Sequence, residues 1–145
     1  MKILLVEDDE EFSSFMGDLL VQHWGHEVTA VFTGKSAVQK AGESHYDLVL
    51  LDIFLLDGLG HEFIEPIRAH SPGINIIAMT GHNSPDLELT VRAKGVSYYM
   101  IKPFELASLK TVIEHLATKS SIQDTKGERT ICPSAIAPKR VTRIA

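Results

Sequence analysis

The stretch KILLVEDDEEF, at Lys2–Phe12, runs from four branched apolar residues, Ile3–Val6, straight into five consecutive acids, Glu7–Glu11. A short, continuous apolar run of this kind is typical of a strand that is buried on both faces. Five like charges at the end of such a strand repel one another. Water, a helix N-terminus or a bound cation would each offset that repulsion, and the rest of the chain narrows the choice.

Similar short apolar runs recur along the chain, and each is followed by a segment with helical spacing. The further runs are Val28–Val31, Leu48–Leu51, Ile74–Met79 and Val96–Ile101; the helical segments are Phe12–Trp24, Ser36–Ser44, His61–His70, Pro85–Lys94 and Leu106–Thr118. Strand followed by helix, five times over, predicts an α/β fold with a doubly wound parallel sheet and helices on both faces. In such folds ligands bind outside the carboxyl ends of the strands.

The composition bounds the class of protein. The 145 residues are 44% hydrophobic and 23% charged, which is typical of one globular domain. No apolar run approaches the roughly 20 residues of a membrane span, and the first residues lack the layout of a signal peptide. A single cysteine, Cys132, cannot form an internal disulfide. We therefore expect a cytoplasmic protein without membrane association.

Charge is distributed unevenly between the two parts of the chain. Residues 1–119 carry 17 acids and 9 Lys or Arg, whereas residues 120–145 carry 2 acids and 5 Lys or Arg. The acidic body argues against direct nucleic acid binding by the globular part. We expect residues 120–145 to form a weakly ordered basic polar tail, because they contain few large apolar groups. The tail is either a genuine extension or the start of a linker in a longer protein.

Polar residues follow four of the apolar runs and are expected to meet at one edge of the sheet. They are Asp8 and Asp9 after the first run, Asp52 after the third, Thr80 after the fourth and Lys102 after the fifth. Carboxylate oxygens suit Mg2+, which binds few protein ligands and keeps several waters. A carboxylate nucleophile with a cation, an ammonium and a hydroxyl beside it also suits phosphoryl transfer.

These residues, with Tyr99 and the pair Lys102–Pro103, give residues 1–119 a resemblance to the receiver domain of two-component response regulators. The sequence is similar to the single-domain chemotaxis regulator, and the resemblance implies the flavodoxin-like fold with five parallel strands in the order 2-1-3-4-5. No single motif is specific to the family, but all of them occur in order at successive predicted strand ends. Such a domain is expected to catalyse only its own phosphorylation and dephosphorylation.

The resemblance assigns roles to the matching residues. Asp52 would accept a phosphoryl group from a phosphohistidine of a sensor histidine kinase or a histidine phosphotransfer protein. Asp9 would bind Mg2+ directly and Asp8 directly or through water, with Asp52 and the backbone carbonyl of Phe54 as further ligands. Thr80 and Tyr99 would act as the switch, Thr80 and Lys102 would assist catalysis, and the Lys102–Pro103 peptide bond would be cis. A downstream protein or a second copy would bind the face formed by the fourth helix, fifth strand and fifth helix.

The sequence departs from the family pattern after the acceptor. Many receivers carry Met-Pro three and four residues after it, where this chain has Leu55 and Leu56. Phe54 and His82 lie two residues beyond Asp52 and Thr80, at positions that vary in the family and tune the lifetime of the phosphoryl group. We hypothesise that Phe54 shields an acyl phosphate from water and slows its hydrolysis.

Alternatives remain for single residues and for the whole domain. Asp9 or a neighbouring acid could act only as a helix cap, and Tyr99 could be an ordinary core residue. The chain could be a degenerate receiver that binds partners without being phosphorylated, although the complete set of site residues argues against this. A metal-dependent phosphatase of the haloacid-dehalogenase type would need a second aspartate two residues after Asp52, where Phe54 stands.

Overall fold

A computed structural model describes residues 1–123 and 140–141 of the chain. The main strands are β1 (Lys2–Val6), β2 (Glu27–Val31), β3 (Leu48–Asp52), β4 (Asn75–Thr80), β5 (Tyr98–Ile101) and β6 (Arg140–Val141). The helices are α1 (Glu10–Asp18), α2 (Gly34–Glu43), α3 (Ile64–His70), α4 (Pro85–Ala93) and α5 (Leu106–Gln123).

Three short elements complete the described chain. A π-helical turn, Leu19–His23, continues α1, and Gly25 then turns the chain with a φ of 72°. A small antiparallel hairpin follows β3, pairing Phe54–Leu55 with Gly58–Leu59. A 3-10 turn, Gly60–Phe63, connects this hairpin to α3. The hairpin lies directly after Asp52, so its geometry shapes the surroundings of the predicted acceptor.

All six main strands are parallel, in the order β2-β1-β3-β4-β5-β6. The predicted doubly wound sheet of five strands, in the order 2-1-3-4-5, is therefore confirmed. β6 is an addition that the sequence did not predict. It pairs with the free edge of β5, with Arg140 opposite Tyr99 and Val141 opposite Met100.

The two faces of the sheet carry separate hydrophobic cores. On one face, β1 contributes Leu4 and packs under α2, α3 and α4; on the other, it contributes Leu5 and packs under α1 and α5. All five residues of β3 are buried, as expected for a central strand with both faces covered. The helices thus cover both faces, as predicted.

The predicted boundary between domain and tail falls inside a helix. The sequence predicted a final helix over Leu106–Thr118, but α5 runs on to Gln123, since neither glycine nor proline interrupts these residues. The rest of the predicted tail, including Cys132, lies outside the described residues apart from β6. Among the described helices, none has both the length and the apolar character needed to cross a bilayer.

Candidate functional site

Polar side chains that follow the strands meet at one edge of the sheet. The central strands are parallel and in register, with Val6 opposite Leu51, so their carboxyl ends lie side by side. Of the residues predicted from the sequence, the structure brings Asp8, Asp52 and Lys102 together here. Asp9 is not part of this group, and Glu7 is.

Three carboxylates form the centre of the site. One oxygen from each of Glu7, Asp8 and Asp52 lies within 4.8 Å of the others. Glu7 is 1% exposed and Asp52 is 5% exposed, so two of the three carboxylates are shielded from bulk water. Sequence reasoning missed Glu7. The sequence did contain a signal, since Glu7 directly follows the buried run. The structure shows the reason for its position: the N–H of Glu7 continues the strand pairing by donating to the carbonyl of Val31 at 3.1 Å.

Asp9 caps the first helix instead of joining the cluster. Its carboxylate accepts a hydrogen bond from the backbone N–H of Phe12 at 3.1 Å, which satisfies one of the free donors at the start of α1. Its own backbone N–H donates to Glu7 Oε1 at 3.1 Å. The side chain is exposed. The five acids therefore lie in three places: Glu7 and Asp8 in the cluster, Asp9 at the helix cap, and the last two acids exposed in the first turn of α1.

Lys102 reaches the cluster from the end of β5. Its ammonium donates a hydrogen bond to Glu7 Oε2 and lies 3.5 Å from Asp52 Oδ1. The same ammonium lies 4.3 Å from the centre of the Phe12 ring, a favourable cation–π arrangement. The peptide bond that follows, Lys102–Pro103, is cis, as predicted.

The ionisation of the cluster reflects its burial and its crowding. Burial raises the pKa of Glu7 to about 7, although its hydrogen bond and attraction to Lys102 oppose the change. Burial also raises the pKa of Asp52, where Lys102 again opposes the change and the charge of Asp8 adds to it. Three carboxylates facing one ammonium leave an excess of negative charge in a poorly solvated place. A divalent cation is the kind of group that such a site favours.

The donor set fits Mg2+. The ion prefers hard oxygen ligands at about 2.1 Å in an octahedron, so opposite ligands lie about 4.2 Å apart. Adjacent ligands of such an octahedron lie about 3 Å apart. No two of the chosen carboxylate oxygens of Glu7, Asp8 and Asp52 are more than 4.8 Å apart, so small movements of the side chains would bring all three to one ion. Asp8 is half-buried, so one side of the cluster is open to the waters that Mg2+ retains.

Thr80 ends β4 and is fully buried. Its hydroxyl oxygen accepts a hydrogen bond from the backbone N–H of His82 at 3.1 Å. This bond uses a lone pair and leaves the hydroxyl proton available as a donor.

Tyr99 is also fully buried, on the α4 side of the sheet. Its hydroxyl donates to Asn83 Oδ1 at 2.6 Å, and the guanidinium of Arg92 lies 5.7 Å from the ring centre. Both partners belong to α4 or to the loop before it. Tyr99 therefore links β5 to the segment that follows Thr80.

The hairpin after Asp52 places Phe54 against His82. Their rings meet edge to face, with centroids 5.4 Å apart and an interplanar angle of 85°. Phe54 is 39% exposed. At the two positions where the family often has Met-Pro, Leu55 is buried and Leu56 is 83% exposed. The aromatic pair joins the two loops that follow β3 and β4.

Gly60 permits the close approach of this hairpin to the acceptor strand. A Cβ atom at Gly60 would lie 2.1 Å from the backbone carbonyl oxygen of Asp52, much closer than van der Waals contact allows. The N–H of Gly60 donates to the carbonyl of Ile53 at 2.6 Å. Only glycine leaves the chain room to fold back onto β3 at this point.

The sequence matches known receiver domains over most of its length. The family model of the response regulator receiver domain matches residues 3–114. The chain is 34% identical over 116 residues to the transcriptional regulatory protein ZraR of Klebsiella oxytoca, a match that covers 79% of the chain and 26% of that protein. It is 28% identical over 126 residues to the transcriptional regulatory protein MalR of Bacillus subtilis, covering 86% of the chain and 54% of MalR. The chain thus spans about a quarter of the length of ZraR.

Solved structures of receiver domains share the fold. A CheY-like response regulator receiver domain protein from Methanospirillum hungatei superposes with a TM-score of 0.76 at 27% identity, covering 83% of this chain and 97% of that one. The receiver domain of a LuxO repressor protein from Vibrio parahaemolyticus gives a TM-score of 0.77 at 26% identity, covering 88% and 98%. With its acid cluster at the carboxyl edge of a five-stranded parallel core, the chain belongs to the response regulator receiver domain family of two-component systems.

Proposed function

We propose that the chain accepts a phosphoryl group on Asp52, in a Mg2+-dependent step, from a phosphohistidine of a sensor histidine kinase or a histidine phosphotransfer protein. The observation that carries the proposal is the meeting of Asp52 with two other carboxylates and with Lys102 at one edge of the sheet. These are the groups that phosphoryl transfer to a carboxylate needs. The reaction is expected in the cytoplasm.

The proposed magnesium ligands are Glu7, Asp8, Asp52 and the backbone carbonyl of Phe54. The family resemblance had assigned direct metal binding to Asp9. We propose Glu7 in its place, because Glu7 lies in the cluster and Asp9 caps α1. When bound, the cation would offset the charge of the carboxylates and of the phosphoryl oxygens. Such a cation, together with the helix N-terminus, would account for the tolerance of five consecutive acids, since each would offset part of their charge.

The transfer itself needs little from the protein beyond placement and charge. An oxygen of Asp52 attacks phosphorus and forms the O–P bond while the N–P bond of the phosphohistidine breaks, and the imidazole leaves with the electron pair. Lys102, 3.5 Å from Asp52, stabilises the charge on the phosphoryl oxygens. The hydroxyl of Thr80 donates a hydrogen bond to one of them. These roles explain why a lysine and a hydroxyl end the two strands beyond β3.

The switch is proposed to run from Thr80 through Tyr99 to α4. Movement of Thr80 toward a phosphoryl group on Asp52 would shift the loop that contains His82 and Asn83. His82 is hydrogen-bonded to Thr80, and Asn83 is hydrogen-bonded to Tyr99. The face of α4, β5 and α5 is the proposed site for a downstream protein or for self-association. Because ZraR extends well beyond the matched region, the output of any longer protein would lie in such additional segments.

The experiment is intact-mass measurement after incubation with Mg2+ and acetyl phosphate or phosphoramidate. The wild type should gain one phosphoryl group, about 80 Da, and the gain should disappear with EDTA or in the Asp52→Ala variant. Beryllofluoride, a phosphoryl mimic, gives a second measurement by 19F NMR that needs no donor. Failure of both would favour the degenerate receiver, whereas consumption of the donor without an adduct would favour the hydrolase.

A further inference from the structure

The sixth strand of the sheet comes from the basic segment that follows the receiver fold. β6 consists of Arg140 and Val141 and lies parallel to β5, opposite Tyr99 and Met100. Without it, β5 would be the edge strand of the sheet. An edge strand presents unpaired N–H and C=O groups, which attract another strand from the same chain or from a partner.

The pairing of β6 with β5 lies on the face proposed for partner binding. β5 lies between α4, which shares one core with Tyr99, and α5, which shares the other core with Met100. A segment paired with β5 therefore lies on the face formed by α4, β5 and α5. Any partner that used the exposed edge of β5 would have to displace it.

The net charges of the two parts of the chain favour contact between the basic segment and the receiver fold. Residues 120–145 carry 5 Lys or Arg against 2 acids, while residues 1–119 carry 17 acids against 9. The two helices that flank β5 are themselves balanced in charge, since α4 and α5 together carry three acids and three Lys or Arg. The difference in charge is therefore one between the two parts of the chain as a whole. Opposite net charges favour contact between the basic segment and the acidic body as a whole, and the pairing with β5 gives the place of that contact. The pairing itself is short, which keeps it reversible.

We propose that the segment containing Arg140–Val141 occupies the β5 edge as an intramolecular strand and competes there with a downstream partner or a second copy of the chain. The regulatory consequence rests on the proposed function of the α4, β5 and α5 face, but the strand pairing does not. A segment paired for about nine-tenths of the time would lower the apparent affinity of a competitor about tenfold.

Hydrogen exchange of the full chain tests the pairing directly. The backbone amides of β5 that do not donate to β4 should exchange about tenfold or more slowly than expected for an unpaired edge. Replacement of either residue of β6 by proline removes an N–H and fits poorly within a strand. Because only one of two adjacent N–H groups faces β5, Arg140→Pro and Val141→Pro are measured separately, and at least one should abolish the protection.

Val141→Thr is the matched control, because threonine keeps the N–H and the β-branched shape that suits a strand. It should retain the protection, and amides of β1 and β3 should stay protected in every variant, which shows that the fold is intact. Wild-type β5 amides that exchange at the unpaired rate would overturn the proposal. Protection that increases with protein concentration would also overturn it, since pairing would then occur between copies. Neither result depends on phosphorylation, so failure here is distinguishable from failure of the proposed function.

Discussion

Glu7 and Asp9 are separated by a single residue, yet they occupy different environments. Glu7 is buried beside Asp52 and bound to Lys102, whereas Asp9 is exposed and accepts the N–H of Phe12. The direction of the chain at the end of β1 decides between them, because Glu7 still pairs with β2 and Asp9 already belongs to the helix start.

Glu7→Gln and Asp9→Asn form a matched pair, since each removes one negative charge without changing the size of the side chain. We expect Glu7→Gln to weaken Mg2+ binding by on the order of tenfold to a hundredfold, because a buried oxygen of the cluster loses its charge. Asp9→Asn should change the affinity by less than about threefold, since asparagine still caps the helix. Calorimetric titration with Mg2+ measures both. A larger loss of Mg2+ affinity in Asp9→Asn than in Glu7→Gln would show that Asp9 is the metal ligand.

Phe54 is the second residue whose role can be tested by substitution. Its ring packs edge to face on His82, two residues beyond the proposed acceptor Asp52. We expect Phe54→Asn to accelerate loss of the phosphoryl group by about tenfold, measured by intact mass over time after removal of the donor, because a polar side chain replaces the shielding ring. Leu56→Asn is the control, since Leu56 is 83% exposed in the same hairpin. An unchanged lifetime in Phe54→Asn would refute the shielding role.

The sequence could predict the type of site but not each of its members. The ends of β3, β4 and β5 each carry one distinctive polar residue, so Asp52, Thr80 and Lys102 could be selected. Five acids in a row have no periodicity that separates inward from outward side chains. Which of them faces Asp52 depends on the length of β1 and on the cap of α1, and both of these are tertiary features.

Asp57 connects the hairpin after β3 to the start of α2 by hydrogen bonds. Its carboxylate accepts the backbone N–H groups of Gly34 at 2.9 Å and Lys35 at 3.0 Å. Slight burial opposes ionisation, but these two hydrogen bonds hold the pKa of Asp57 below its usual range. The hairpin thus caps a helix that lies elsewhere in the sequence, next to the loop that contains Phe54.

Asp57→Ala should lower the free energy of unfolding by roughly 0.5–2 kcal/mol, the usual effect of removing a helix cap. Because the pKa is lowered by folding, the contribution is fully present above the unfolded value of about 3.9 and is lost as the pH falls through the lower folded value. Urea unfolding at neutral pH and at about pH 3 measures this. The difference between wild type and variant should shrink at the lower pH. A difference that grew on acidification would contradict the assignment.

Long elements were predictable and short ones were not. The five apolar runs of four to six residues identified β1 to β5, because a continuous run of that length next to a segment with helical spacing leaves few other structures. The hairpin strands and β6 have two residues each, too few to show any alternation. Their pairing is decided by the unpaired edge or loop that they meet, which a local pattern does not contain.

One sheet supports both hydrophobic cores of the domain. Leu4 and Leu5 are adjacent in β1 and both fully buried, but they point to opposite faces. Each core contains side chains from β1 and from other strands of the same sheet. Loss of packing on either face should therefore weaken the entire sheet.

Leu4→Ala and Leu5→Ala should each lower the free energy of unfolding by about 2–5 kcal/mol, since each leaves a cavity in a closed core. Both should unfold in one transition, followed by circular dichroism for helices and by Trp24 fluorescence for the α1 side. Leu56→Ala, at a residue that is 83% exposed, should change stability by less than about 0.5 kcal/mol. Separate transitions for the two probes would show that the cores are independent.

The contact between Lys102 and Glu7 joins residues 95 positions apart in the chain. During synthesis, the first acid of the site leaves the ribosome roughly 5–20 s before the lysine that completes it, at about 5–20 residues per second. A nascent chain holds every carboxylate of the site before it holds the ammonium. If Asp52 accepts a phosphoryl group as proposed, an unfinished chain lacks the ammonium that would stabilise the transfer until the residue after the fifth strand has been made.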